Sequence, residues 1–324
     1  MHKTSGNAPV DLDPGYVLVD LSTRVGTLEL VNPIIAASGT IGYGDELSSY
    51  GDLASLGAVV TKSLAHFPWD GNPGLRLAPL ATGMLNSVGL QGPGIASWKS
   101  KYLPKLQSTG AKIVVSIWGR TLEDFQVAVH ELSDVFESLS ALEVNLSCPN
   151  HLDKKTMFAQ SPFDTQNIIE SVSGHCKVPV WAKLSPAVAN IVEICQGAVE
   201  GGAHAVTLVN TMPGMKIDLG TQRAVLGAKS GGISGPALHN IAVRCIYECR
   251  SNFPDLPIVG VGGVMTGQDA IELMLAGANA VQVGTASFLS PRSTWKIVSE
   301  IAKYCNENNI SRVTDLVSQA HTSE

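Results

Sequence analysis

Short apolar runs alternate along this chain with segments whose apolar residues recur at helical spacing. Each run is almost continuously apolar, as expected for strands that are buried on both faces of a parallel sheet. Eight such runs occur, at residues 34–38, 58–61, 113–117, 142–145, 180–183, 205–209, 258–260 and 280–283. Eight strands separated by helices predict an α/β fold, a (β/α)8 TIM barrel.

The segments outside these runs predict what surrounds the barrel. Residues 18–21 and 24–31 predict an N-terminal hairpin that plugs the bottom of the barrel and serves stability. The connections at residues 63–112 and 211–257 are too long for simple loops, so they must contain extra elements. Insertions at the carboxyl ends of barrel strands build the active site in this fold.

Helical spacing is clearest at residues 121–132 and 269–276, and residues 311–324 predict a last helix with a polar end. No internal repeat or low-complexity segment divides the 324 residues. The sequence therefore predicts a single domain, in which residues 1–17 and 305–324 are peripheral.

Composition narrows the class of function. Hydrophobic residues make up 44% of the chain and charged residues 15%, which is enough apolar material for a large core. The net charge of −6 comes without a basic stripe, so a small-molecule enzyme is favoured over a nucleic-acid binder. Residues 1–19 lack the basic and apolar segments of a signal peptide or membrane anchor, which predicts a cytoplasmic protein with no membrane association.

The six cysteines are scattered without the spacing of metal ligands. Cys245 and Cys249 are four residues apart on a predicted helix but lack partners for a zinc site. We therefore predict no metal and interpret most of the cysteines as buried, inert thiols.

Polar and small residues follow the first two strands, at the end where barrel enzymes carry their working groups. Ser38 lies among small residues that would let a flat ring approach closely. Lys62 and Ser63 follow the second strand, where a ligand anion would compensate the ammonium. The loop 86–90 could hydrogen-bond a small polar ligand. Each feature alone fits an ordinary turn or a lysine that reaches solvent.

The strongest local signal follows the fourth strand, where Asn145 is followed three residues later by Cys148. A thiol with an ordinary pKa near 8.5 can act as a general base close to neutral pH. An arbitrary buried cysteine is usually inert, and here the flanking Asn145, Pro149 and Asn150 favour a functional interpretation. Cys148 is therefore a candidate catalytic residue.

Further candidates follow the later strands. Lys183 follows the fifth strand and Asn210 with Thr211 the sixth, so a second cation and a further carboxamide face the same end of the barrel. The glycine-rich segments 260–263 and 284–285 stand where barrels bind phosphate through backbone amides. This pattern predicts a phosphate but does not identify the molecule that carries it.

Seven motifs occur along the chain in the order Thr61-Lys62-Ser63, Asn86 to Leu90, Asn145 to Asn150, Lys183 to Pro186, Asn210-Thr211, Gly231 to Pro236 and Gly284-Thr285. In this order they closely resemble the motifs of the class 1 dihydroorotate dehydrogenases, over about residues 18–303. The segments 89–94 and 214–218 look more like subclass 1B than 1A. The resemblance implies FMN as cofactor and oxidation of dihydroorotate to orotate, a step of pyrimidine biosynthesis.

The resemblance also implies a role for each matching residue. The residues implied to hold FMN are Ser38, Lys62, Ser63, Asn145, Lys183, Val209, Gly235, Gly262, Gly263, Gly284 and Thr285. The residues implied to hold dihydroorotate are Lys62, Asn86, Ser87, Val88, Gly89, Leu90, Asn145, Asn210 and Thr211. Cys148 would be the base, with Lys62 beside it in the catalytic site.

Two positions depart from the family pattern. At the end of the third strand the family usually has an asparagine, and this chain has Ser116 followed by an unusual Trp118. We expect Ser116 to stay at the cofactor site, where its shorter side chain either misses the flavin or reaches it through water. Gly92-Pro93-Gly94 stands where subclass 1B usually has Asn-Pro-Gly.

Related barrels remain alternatives at this stage. One is an FMN barrel that acts on another dihydropyrimidine, and another resembles IMP dehydrogenase and uses its cysteine as a nucleophile. A catalytically silent binding subunit is disfavoured by the presence of both Cys148 and Lys62.

The sequence also bears on partners. We expect a homodimer. The chain has neither a Gly-x-Gly-x-x-Gly motif between a strand and a helix nor cysteines spaced for an iron–sulfur cluster. Transfer of electrons to NAD would therefore need a separate FAD and iron–sulfur subunit.

Overall fold

The eight apolar runs form a closed parallel barrel in the computed structural model, which describes residues 19–147 and 157–322. The strands are, in chain order, β1 (Thr23–Val25), β2 (Leu28–Leu30), β3 (Ile34–Ala36), β4 (Ala58–Val60), β5 (Leu77–Leu80), β6 (Gly83–Asn86), β7 (Ile113–Ile117), β8 (Ala141–Asn145), β9 (Val180–Leu184), β10 (Ala205–Leu208), β11 (Met212–Met215), β12 (Ile217–Asp218), β13 (Arg223–Ala224), β14 (Ser230–Ser234), β15 (Ile258–Val261) and β16 (Ala280–Val283). The barrel order is β3, β4, β7, β8, β9, β10, β15 and β16, and β16 pairs with β3 to close it.

Helices cover the outside of the barrel. They are α1 (Ile95–Lys101), α2 (Leu103–Ser108), α3 (Leu122–Leu132), α4 (Pro162–Ser173), α5 (Ile191–Glu200), α6 (His239–Asn252), α7 (Gly267–Leu275), α8 (Ala286–Leu289) and α9 (Ser293–Glu307). Among the helices of the described residues, none combines the length and the apolar character needed to cross a bilayer.

The barrel strands confirm the prediction from the apolar runs. Every residue of these eight strands is buried, because helices cover the outer face and packed side chains fill the interior. The predicted helix ends also agree closely. Thr121 caps α3 by accepting a hydrogen bond from the backbone of Asp124, and Thr266 caps α7, which begins two residues before the predicted start.

The N-terminal hairpin is shorter than predicted and lies later in the chain. Both of its strands, β1 and β2, lie within or next to the predicted second segment, and Gly26 adopts a φ of 61° in the turn between them. Residue Asp20, from the predicted first segment, instead bridges to Arg312 near the C-terminus. Val25 and Leu30 pack against the lower interior of the barrel, so the predicted plug is confirmed.

The prediction of a helix at residues 311–324 was wrong. The described part of this segment contains two short 3-10 turns, Val313–Leu316 and Gln319–His321. Between them Ser318 adopts a φ of 66°, and its backbone N–H donates to the carbonyl of Met274. Val313 and Leu316 are buried against the core, so this part of the chain is not peripheral. Tertiary contacts here override the weak helical spacing.

The two long connections contain the extra elements that their length predicts. Strands β5 and β6 come from the first connection and β11 and β14 from the second, and they form one four-stranded sheet in the order β11, β14, β6, β5. Gly232 of β14 pairs with Asn86 of β6. Because both insertions follow the carboxyl ends of barrel strands, this sheet stands beside the barrel mouth.

Candidate active site

A cavity of about 580 Å³ lies at the carboxyl ends of the barrel strands. This volume is within the range of about 300–1,000 Å³ that is usual for small-molecule sites. Most of the predicted site residues line it: Ser38, Lys62, Ser63, Asn86, Ser87, Val88, Gly89, Leu90, Asn145, Lys183, Val209, Asn210, Thr211, Gly235, Gly262, Gly263, Gly284 and Thr285. Residues far apart in sequence thus meet in a single cavity.

Two predicted site residues are not among them. Cys148 lies outside the described residues, although the preceding Ser147 lines the cavity. Ser116 is fully buried and is not among the residues that line the cavity. Its short side chain ends behind Ser63, with 2.8 Å between the two hydroxyl oxygens. Ser116 therefore supports a residue of the cavity, and its expected relation to the cofactor stays a prediction.

Ser116 begins a chain of hydrogen bonds that crosses the barrel mouth. The Asn145 carboxamide donates through Nδ2 to the hydroxyl oxygen of Ser63 at 3.2 Å. Its Oδ1 accepts from Asn210 Nδ2 at 3.2 Å and from the backbone N–H of Ser147 at 3.2 Å. Because each amide group has a fixed donor and a fixed acceptor side, these bonds determine which way Asn145 faces.

The cavity carries two lysines in different electrostatic environments. Lys183 is buried, and its Nζ lies 3.4 Å from a carboxylate oxygen of Glu143. Lys62 has no carboxylate partner among the described residues, and burial together with nearby Arg76 lowers its pKa. A half-buried ammonium without a counter-ion is costly, so the Lys62 side of the cavity favours an anionic ligand.

Residues 69–72, for which the sequence analysis predicted no role, hold the loop 86–90 in place. The Trp69 indole N–H donates to the carbonyl of Gly89 at 3.0 Å, and the Asn72 side chain donates to the hydroxyl of Ser87 at 2.8 Å. Gly89 adopts a φ of 75°, and a β-carbon there would lie 2.5 Å from Asn72. No local pattern in the sequence predicts these contacts, because they join separate turns of one long insertion.

The glycine segments after β15 and β16 form a cradle in another part of the cavity wall. Gly263 adopts a φ of 68°, and a β-carbon there would lie 2.8 Å from the backbone nitrogen of His239. His239 Nδ1 lies 3.1 Å from the carbonyl oxygen of Gly262, and Thr285 donates to the hydroxyl of Ser234 at 2.8 Å. Glycine at position 263 thus lets this segment pack closely against His239 while its backbone lines the cavity.

The titratable side chains of the described residues offer no metal site. No group of three or more His, Cys, Asp or Glu side chains in residues 19–147 and 157–322 could hold a metal ion. Cys195, Cys245, Cys249 and Cys305 are buried, and burial raises the pKa of Cys245 to about 11. These four fit the prediction of inert core thiols.

The cavity can therefore hold a ligand with an anionic group beside Lys62 and a second ligand with a phosphate in the glycine cradle. Lys183 and Gln282 lie at its floor, where they can contact a polar ring edge. Ala37, Ser38 and Gly39 provide the small residues that a flat ring requires.

Comparisons with known proteins agree with this arrangement. The family model for dihydroorotate dehydrogenase matches residues 20–305. The chain is similar to the catalytic subunit of dihydroorotate dehydrogenase B (NAD(+)) from Alkaliphilus metalliredigens, with 42% identity over 92% of this chain and 98% of the relative. The same subunit from Lachnoclostridium phytofermentans is 41% identical over 92% of this chain and 99% of the relative, and that from Geobacter sulfurreducens 40% over 92% and 97%. The chain therefore belongs to the dihydroorotate dehydrogenase family, in the class 1B group that its motifs resemble.

Proposed function

We propose that this chain oxidises dihydroorotate to orotate with bound FMN as the hydride acceptor, as a step of pyrimidine biosynthesis. The observation that carries the substrate assignment is the contrast between the two lysines. Lys183 has its own carboxylate partner within the fold, whereas Lys62 has none among the described residues. A substrate that bears a carboxylate supplies the missing anion.

The rest of the substrate site provides polar groups that suit the ring amides of dihydroorotate. Asn145 and Asn210 belong to one hydrogen-bond chain, so their carboxamides are held in fixed orientations. Asn86 is held by its donation to the carbonyl of Gly232 at 3.2 Å. Such preorganised donors and acceptors bind a planar polar ring without a further ordering cost.

The residues present fit FMN. Gly235, Gly262, Gly263, Gly284 and Thr285 line the cavity and would hold the phosphate through backbone amides, with room beside Gly284. Ser38, Ser63 and Val209 would line the ring, and Lys183 would face its pyrimidine edge. When bound there, FMN supplies the acceptor for the hydride that leaves carbon 6 of dihydroorotate.

The protein's own contribution to the chemistry is positioning and proton transfer. Cys148 as a thiolate would take the proton from ring carbon 5, and loss of this proton and of the carbon 6 hydride leaves the ring double bond of orotate. Cys148 directly follows Ser147, which lines the cavity. Lys62 would hold the substrate carboxylate, and Lys183 would stabilise negative charge that develops at the floor of the cavity.

The relatives are named as catalytic subunits of an NAD(+)-dependent enzyme, which supports a partner for this chain too. We expect the partner to carry FAD and an iron–sulfur cluster, and we expect the catalytic chain to form a homodimer. We propose the cytoplasm as the setting.

Replacement of Lys62 tests the assigned substrate. Lys62→Met should lower kcat/KM for dihydroorotate by about 10- to 100-fold, mainly through KM, because the variant cannot make a charge-assisted hydrogen bond to the carboxylate. Steady-state assays with an artificial dye as acceptor measure this. Lys105→Met, at an exposed position on α2, is the matched control and should retain the KM of the parent protein.

A wild-type enzyme that oxidises dihydrouracil as readily as dihydroorotate would contradict the assignment, because dihydrouracil has no carboxylate. An unchanged KM in Lys62→Met would contradict the role of this lysine.

Replacement of Gly284 tests the phosphate cradle. A β-carbon at this position would meet only Ala37 at 3.5 Å and Thr40 at 3.7 Å, so Gly284→Ala should fold and bind FMN. Gly284→Asp adds a negative charge beside the phosphate and should yield mostly apoprotein. The ratio of flavin to protein absorbance after purification measures this. An aspartate variant that purifies fully loaded would mean that the phosphate lies elsewhere.

The electron acceptor tests the proposed partner. The isolated chain, reduced by dihydroorotate, should pass electrons to artificial dyes or oxygen but hardly to NAD, because the relay would be on another subunit. Assays of the pure chain with NAD and with fumarate as sole acceptors measure this. Rapid NAD reduction would refute the need for a partner, and rapid fumarate reduction would indicate subclass 1A behaviour.

A further inference from the structure

A buried carboxylate in the barrel interior has no role in the chemistry proposed above. Glu143 is on β8, two residues before Asn145, and its side chain is fully buried. Side chains two apart on a strand face the same side, so Glu143 points into the barrel below Asn145. An acidic side chain without solvent is stable there only if other groups compensate its charge.

Three side chains from three other strands provide this compensation. Lys183 Nζ lies 3.4 Å from Glu143 Oε1, and Gln282 Nε2 donates to Glu143 Oε2 at 2.6 Å. Thr207 donates its hydroxyl to the same Oε2 at 3.1 Å. The carboxylate is thus held between β9, β10 and β16.

Gln282 closes this arrangement into a triangle. Lys183 Nζ donates to Gln282 Oε1 at 3.2 Å, while the amide nitrogen of Gln282 donates to Glu143. An ammonium can only donate and a carboxylate can only accept, so the amide has one orientation that satisfies both. The ammonium of Lys183 is therefore restrained by two partners at the same time.

Two of the three side chains in the triangle face the cavity. Lys183 and Gln282 line the cavity, whereas Glu143 does not. Glu143 accordingly lies behind the ammonium and cannot touch a bound ligand itself. It acts on the cavity only through the position of Lys183.

We infer that Glu143 is a positioning residue that, together with Gln282, holds the Lys183 ammonium in place at the cavity floor. This inference rests on the proposed function, because it concerns how the chain stabilises reduced FMN. Without its carboxylate partner, a buried ammonium is an uncompensated charge, and the side chain withdraws from the site. The floor would then stabilise negative charge on the ring less well.

The test compares the midpoint potential of bound FMN in variants, measured by anaerobic equilibration with a reference dye. Glu143→Gln keeps the size of the side chain and should lower the ratio of reduced to oxidised flavin at a given potential by about tenfold. For a two-electron couple this is a downward shift of about 30 mV. Dihydroorotate should bind within about twofold of its parent affinity, while flavin reduction slows.

Three further variants make the result specific. Lys183→Met should shift the potential in the same direction, and adding Glu143→Gln to it should cause little further change, because the carboxylate acts through the lysine. Gln282→Met should give a smaller shift in the same direction, and it carries the test if Glu143→Gln does not fold. Thr207→Val removes a hydroxyl that donates to Glu143 and makes no hydrogen bond to the Lys183 ammonium, and it should leave the potential nearly unchanged.

An unchanged potential in both Glu143→Gln and Gln282→Met would overturn the inference. The triangle would then serve only the stability of the fold. An upward shift would also overturn it, because Glu143 would then weaken the effect of the lysine. A potential can be measured with any bound flavin and without dihydroorotate. If the substrate assignment fails, dihydroorotate will not reduce the flavin of the wild-type protein, but the potentials of the variants can still be compared. The two failures are therefore distinguishable.

Discussion

Closure of the barrel is the constraint on which the site depends. Because β16 pairs with β3, all eight parallel strands end on one rim, and residues that are far apart in sequence must meet there. The two long insertions that follow β4 and β10 then pair through β6 and β14 into a sheet beside that rim. The cavity between rim and sheet is thus a consequence of strand order, and the side chains at the strand ends decide what it binds.

Electrostatics divides this cavity into two parts. On the floor, the fold itself supplies Glu143 as the counter-ion of Lys183, so the charge there is compensated before any ligand binds. At the mouth, Lys62 has no such partner among the described residues, and burial lowers its pKa. An anionic substrate would therefore restore charge balance at the mouth. The floor would present an oriented ammonium to a neutral ring that becomes negative on reduction.

The sequence predicted the features that depend on local pattern or on strand order. Buried strands are continuously apolar, so the eight runs could be recognised, and their ends supplied most of the cavity residues. It failed where contacts distant in sequence decide the outcome. The 3-10 turns that end at Leu316 and His321 replace a predicted helix because of tertiary packing. Ser116 proved to lie behind Ser63, and the support from Trp69 had no local signal.

The central claim is that one cavity brings bound flavin and dihydroorotate together for hydride transfer. The most direct measurement is the visible spectrum of the purified chain during anaerobic titration with dihydroorotate, with dihydrouracil as the comparison. We expect flavin absorption bands that bleach with dihydroorotate at about one equivalent per flavin and that persist with dihydrouracil. A colourless protein with an intact fold, or flavin bands that dihydroorotate leaves unchanged, would contradict it.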